Sequence, residues 1–215
     1  SDEKIDEAQK VLSLAKRKFK PNFLQAYFAA MISLEKRDFN QALDDLRRAE
    51  TIAKNADPTR LNHILYFQMG TTAERAGKFK EAEEYFRQSI EKKPDYATAL
   101  NYLGYMWADR GENLDEAIKL IDRALKENPD NGAYLDSRAW ALYKQGKIKE
   151  ALEWQLKALT NTEGADAEIY LHLGEMYLKL KQPKTAREYL DKAAAIKDTE
   201  PDVKARIQAV LKQLP

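Results

Sequence analysis

Ala82 recurs as Ala117, Ala151 and Ala186, at intervals of 35, 34 and 35 residues, each at the same apolar phase of a helical segment. No other feature limits the fold as tightly. A helix pair of about 34 residues cannot bury its own apolar face and does so by stacking on its copies. The chain is therefore expected to be all-α, an array of antiparallel helix hairpins in which each unit contacts its neighbours.

The unit is clearest from His63 to Tyr96. Tyr66, Met69, Gly70 and Ala73 share one face of a first helix, and Phe79, Ala82, Phe86 and Ile90 share one face of a second. Gly77 is placed to end the first helix in the left-handed conformation. Gly70 costs about 1 kcal/mol relative to Ala inside a helix, so it implies close helix packing near Ala82, with Tyr66 and Phe86 filling the space on either side. Leu103, Gly104, Trp107, Gly111 and Ile121 repeat these roles, with Asn113 and Glu116 spaced as an N-cap and its N3 partner. Two more units run through Leu135, Ala139, Gly146 and Ala158, and through Leu173, Gly174, Ala186 and Ala193.

The units are expected at 23–55, 63–96, 97–130, 132–163 and 167–198, in one array over 1–215. Ala42 precedes Ala82 by 40 residues rather than 34, with Asp57-Pro58 reading as an N-cap and N1 proline between them. Longer helices on either side of Asp57 are expected, with an irregular repeat there. Residues 1–20 carry Ile5, Ala8, Leu12 and Ala15 in phase with a second helix only. This reads as half of a truncated unit, and the opening Ser1 suits a trimmed or processed piece. Residues 200–214 read as a helix capping the last unit.

Composition narrows function. With 36 basic and 35 acidic residues the formal charge is +1, so no strong field favours nucleic acid or acidic lipid. There is no cysteine, which removes disulfides, thiolate nucleophiles and Cys-based metal sites. No apolar run reaches the 18 residues that a membrane span needs, and the opening residues do not read as a leader.

These positions resemble the tetratricopeptide repeat in about five units and a half. His63–Tyr96 matches through Tyr66, Met69, Gly70, Ala73, Gly77, Phe79, Ala82, Phe86 and Pro94. The resemblance implies a right-handed superhelical solenoid that docks other proteins. The run from Asn101 to Ala117 resembles segments of large bacterial members, some of them envelope lipoproteins, which implies the cell envelope and leaves the cytoplasm as the alternative. In the third unit Arg138 and Ala139 replace Leu-Gly and Gln155 replaces an apolar residue. Either the unit packs more loosely or Arg138 meets a carboxylate.

In that family the first helices line a concave groove. Carried over by position, the resemblance implies groove residues Tyr27, Met31, Phe67, Thr71, Asn101, Tyr105, Asp136, Trp140 and Tyr143, with Leu171 and Glu175 in the last unit. Tyr105 and Trp140 would anchor an extended or helical partner segment, since aromatics bury much area at low rotamer cost. Helical spacing alone reads both as core. Trp107 is expected in the core, and Trp154 either on a neighbouring helix or exposed. Phe67, Asn101 and Asp136 stand where some members use Lys and Asn to clamp a peptide carboxylate, so no such clamp is expected.

The remaining chemistry is sparse. His63 and His172 lie three repeats apart, and His172 with Glu175 reads as a helix-surface contact. Asp44-Asp45 and Glu83-Glu84 read as solvated faces. The Lys16, Arg17, Lys18 and Lys20 cluster suits a helix C-terminus. No catalytic set, metal site, cofactor or phosphate-cradling loop is expected. The groove carries Asp136, Glu175 and Glu35 with few cations, which disfavours RNA. The expected function is a non-enzymatic scaffold with a protein or peptide partner. The alternative is self-association through the exposed half unit.

Overall fold

Twelve α-helices and one 3-10 turn follow one another among the described residues, 2–214, of the computed structural model. Residues 1 and 215, the outermost limits of the expected array, lie outside them. Helix α1 spans Asp2–Lys18. Five hairpins follow. They pair α2 (Phe23–Glu35) with α3 (Phe39–Ala56), α4 (His63–Arg75) with α5 (Phe79–Lys92), α6 (Ala97–Arg110) with α7 (Leu114–Glu127), α8 (Gly132–Lys144) with α9 (Ile148–Thr160), and α10 (Ala167–Lys179) with α11 (Pro183–Ala195). Helix α12 is Pro201–Leu211. The chain divides into two compact units, the first ending at Ala99 and the second beginning at Leu100.

The repeated alanine is the hinge of every hairpin's packing. Ala42, Ala82, Ala117, Ala151 and Ala186 are all fully buried. One turn later, three of the second helices drive a side chain onto the glycine of their first helix. In α5 that side chain is Phe86, whose ring lies directly over Gly70. A Cβ at Gly70 would stand 2.6 Å from two ring atoms, so Phe86 fills the space above the glycine itself rather than a flank. Ile121 and Leu190 sit over Gly104 and Gly174 in the same way.

A turn explains the first interval of 35, from Ala82 to Ala117. Gly77, Gly111 and Gly146 all take positive φ after a first helix. Between Gly111 and α7 the turn holds one residue more than its counterpart after Gly77. That extra residue places Asn113 at φ 46, and its side chain makes no capping bond. The Asn113–Glu116 capping pair is therefore corrected. Asn113 serves by tolerating the left-handed region, which few side chains do.

The surplus near Asp57 goes mainly into α3, which has 18 residues, and into the single 3-10 turn Pro58–Arg60. Helix α4 has 13 residues, so lengthening occurs on one side only. The Asp57 carboxylate caps no helix. It takes hydrogen bonds from Thr59 Oγ1 (2.5 Å) and from Arg60 Nε (3.0 Å). The N-cap of α4 is Asn62, which accepts from the amides of Ile64 and Leu65.

Candidate functional site

Within the second unit, α6, α8, α10 and α12 turn one row of side chains toward each other. Tyr105 and Asp109 are four apart on α6, Asp136, Trp140 and Tyr143 follow on α8, and Glu168, His172 and Glu175 follow on α10. Such spacing keeps each set on one helix face. The four carboxylates gathered here, Asp109, Asp136, Glu168 and Glu175, are answered by a connected network. His172 Nδ1 lies 2.9 Å from Asp136 Oδ1. Gln155 of α9 donates to the same oxygen and, at 3.3 Å, to the Ile169 carbonyl. The Tyr105 hydroxyl donates to Glu168 Oε1, reaching from α6 to α10. The Trp140 indole N–H donates to Asp109 at 3.0 Å.

Trp140 is the centre of a stack. The His172 ring lies parallel to it at 4.0 Å between centroids, and the Tyr143 ring at 4.9 Å. From α12 the Arg206 guanidinium stands 5.1 Å over the indole, with contacts of 3.8 Å to Asp109 and 3.5 Å to Glu175. Lys144 also approaches the indole, at 4.9 Å.

Burial and the facing charges shift the pKa values of this cluster. It raises the pKa of Glu168 and, with the Glu168 and Asp136 carboxylates, that of Tyr105 well above the ordinary phenol value. For His172 burial works toward the neutral form, but the attraction and hydrogen bond of Asp136 outweigh it and the pKa is raised. His172 Nε2 has no hydrogen-bond partner among the described residues, so Asp136 is the ring's one hydrogen-bond partner. Among the described residues no three His, Asp or Glu side chains are arranged to hold a metal ion.

Several sequence expectations change here. Trp140 is 2% exposed and Asp136 and Asn101 are 6% exposed, so none of the three offers the open groove surface expected of it. The cause is the short reach between first helices, which lets Tyr105 cross to Glu168 and Arg206 lie on Trp140. Tyr105 and Tyr143 remain part exposed. His172 is fully buried and is not a surface contact. Arg138 does meet carboxylates, Asp122 at 2.6 Å and Glu150 at 3.8 Å, and lies 4.0 Å over the ring of Trp154. Lys157 approaches that ring at 4.6 Å, so two cations stand against Trp154. Trp107 is in the core, 3% exposed.

In the first unit the corresponding positions stay partly open. Tyr27, Met31, Phe67 and Thr71 are all part exposed. Tyr27 donates to Gln68 Oε1 at 2.8 Å, and Gln68 Nε2 meets the Met31 sulfur at 3.3 Å, which ties α2 to α4. Phe23 stacks on Tyr27, and Phe67 packs edge-on against Tyr96. Beside them an apolar hollow of about 870 Å³ opens between α1 and α2, lined by Val11, Leu12, Phe19, Leu24, Phe28 and Met31 among others. Val11, Phe19, Leu24 and Phe28 are each at least 48% exposed.

A family model described as tetratricopeptide repeat matches residues 67–118 and 108–166, and a second of the same description matches 167–199. The chain belongs to the tetratricopeptide repeat family. A TPR repeat-containing protein of Pseudomonas aeruginosa is 34% identical over 172 residues, which is 80% of this chain and 28% of that protein. The type IV pilus assembly protein PilF of the same organism is 26% identical over 64% of this chain and 55% of its own length. This chain thus spans about a quarter to a half of these relatives. Among solved structures, a tetratricopeptide repeat protein from Parabacteroides merdae matches with a TM-score of 0.75 at 19% identity, covering 98% of this chain and 79% of its own. The pilus biogenesis factor PilW matches with a TM-score of 0.69 at 20% identity, covering 88% and 86%. Identities this low speak for the tetratricopeptide fold alone.

The tetratricopeptide register also shows how the buried network could have been found. Leu46, Phe86, Ile121, Gln155 and Leu190 form one column of the second helices, with Leu12 at the same phase of α1. Gln155 is the single polar member and is fully buried. A buried amide needs partners, which points to acceptors on the neighbouring first helices, Asp136 and the Ile169 carbonyl. Nothing in the repeat phase singles out Arg206, which comes from a helix outside the repeats.

Proposed function

We propose that this chain is a non-catalytic docking scaffold that holds a segment of a partner protein on its first helices. Tetratricopeptide proteins in general mediate contacts between proteins. The observation that carries the reading here is the part-exposed row of Tyr27, Met31, Phe67 and Thr71 in the first unit, continuous through Met31 with the apolar hollow between α1 and α2. Exposed apolar surface on that scale marks interaction sites in proteins. Tyr27 and Phe67 are rigid anchors with apolar bodies, and Thr71 and Gln68 supply polar groups beside them.

A Tyr27→Ala/Phe67→Ala double variant tests this. A pull-down from native extract is expected to lose its partner, since a buried aromatic anchor contributes about 2 kcal/mol or more. Far-UV circular dichroism is expected to stay helical. Undiminished capture by a folded double variant sinks the assignment.

A second reading is self-association, and Leu12 favours it. In later hairpins the residue of this column is buried against a first helix, whereas Leu12 lines the open hollow. A second copy presenting an apolar helix would cover it. No described helix is long and apolar enough to cross a membrane, so the apolar surface of α1 and α2 is not a span.

A further inference from the structure

We propose that the concave face of the second unit is a receptor for an arginine side chain of a partner segment, and that the chain's own Arg206 is its resident occupant. This rests on the docking reading above and assigns the class of residue bound.

The face is built for a planar cation. Its four carboxylates divide into two pairs. Asp136 is engaged by His172 and Gln155, and Glu168 by Tyr105. Asp109 and Glu175 are the pair turned to the guanidinium, from α6 on one side and α10 on the other, and Asp109 also accepts the Trp140 indole N–H at 3.0 Å and lies 4.0 Å from Lys144. Below them the Trp140 indole, stacked with His172 and Tyr143, meets the guanidinium at 5.1 Å. A guanidinium combines fixed in-plane donors with a face that stacks on aromatics, which an ammonium does not.

Arg206 uses this receptor imperfectly. Its contacts to Asp109 and Glu175, at 3.8 and 3.5 Å, exceed the 2.7–2.9 Å or so of a strong charge-assisted hydrogen bond. Its side chain remains 33% exposed. Helix α12 is anchored through Ile207 and Val210, which pack with Leu171, Leu190 and Ala193. Arg206 is not part of that apolar contact, so its side chain can rotate off the indole while α12 stays docked. Leaving the face costs Arg206 two loose ion contacts and its place over the indole, and a partner arginine takes up the same three contacts. Trp140 is 2% exposed with Arg206 in place, and Lys144, His172 and Tyr143 also stand against its rings. The anchor that the repeat phase implies is thus present but occupied.

The test uses the full chain, its Arg206→Ala variant, and a short peptide with one arginine between glycines. Binding is read by calorimetry and by the indole N–H resonance of Trp140. Arg206→Ala is expected to bind the arginine peptide at least tenfold more tightly than wild type, with the Trp140 resonance shifted. The citrulline counterpart is expected not to bind, and adding Glu175→Gln to be enough to abolish the gain. Equal binding by wild type and Arg206→Ala, or equal binding of the citrulline peptide, overturns the proposal. If Arg206→Ala loosens α12 by circular dichroism, Arg206→Gln, which keeps the stem and drops the charge, gives the same reading. Failure here with a positive Tyr27/Phe67 result removes the arginine receptor and leaves the docking scaffold. Failure of the Tyr27/Phe67 test with tighter peptide binding by Arg206→Ala does the reverse.

Discussion

At Lys181 the backbone holds φ at 61°, in the place where Gly77 and Gly146 end their first helices. The amide bonds are the same. Lys181 and Gln182 donate back to Leu178 and Tyr177 as Gly77 and Lys78 do to Glu74 and Ala73. A Cβ in the left-handed region costs about 1–2 kcal/mol, so Lys181→Gly is expected to raise stability by about 1 kcal/mol, read as a higher urea midpoint. The same residue scale governs His172. Its raised pKa means the folded chain holds a proton that the unfolded chain releases near pH 6.5. The stabilisation is therefore complete below that value and is lost as pH rises through the folded pKa. Glu168, also raised, acts with the same sign from a lower pH. The urea midpoint is expected to be lower at pH 8 than at pH 6. His172→Gln is expected to be less stable at pH 6 and to flatten that fall. An unchanged slope in this variant assigns the titration to another group. The buried pair itself is tested by Asp136→Ala, which strands His172 and Gln155 and is expected to cost about 3–5 kcal/mol.

At the scale of the element, each hairpin is a small residue under a large one, and the two choices are coupled. Gly70→Ala gains about 1 kcal/mol of helix propensity but sets a methyl against the Phe86 ring, and overpacking of this kind costs about 1–3 kcal/mol. The single variant is expected to lose stability. Gly70→Ala with Phe86→Leu is expected to lose less than the sum of the two, with a coupling of about 0.5–3 kcal/mol in a double-mutant cycle. Additive losses would place the strain elsewhere. This grammar was legible beforehand. The period, the second-helix alanines and the left-handed turn at Gly77 all follow from residue type and spacing. What escaped was register within turns and reach across helices. Asn113 reads as a cap in sequence because capping and left-handed turns favour the same residue. The exposure of Trp140 depends on how far Tyr105 and Arg206 extend toward it, and no spacing rule within a single repeat contains that distance.

For the whole molecule, the decisive contrast lies in what each compact unit leaves uncovered. The second unit fills the space between its first helices with a polar network. The first leaves Leu12 at the edge of a hollow of about 870 Å³, with Phe28 54% and Phe19 65% exposed. Covering such surface is favourable at about 25 cal/mol per Å², and association must also meet the cost of ordering two bodies. Self-association through this hollow is therefore expected to depend on concentration. Light scattering across a dilution series is expected to show mass rising above that of one chain at high concentration. Phe28→Glu, which sets a charge in the hollow from an exposed position, is expected to hold the chain at one copy while its helical circular dichroism is unchanged. A wild-type mass of one chain throughout the series rules out the second copy. The hollow then belongs with Tyr27 and Phe67 to the surface that meets a different protein, and Phe28→Glu should weaken the same pull-down as their replacement does.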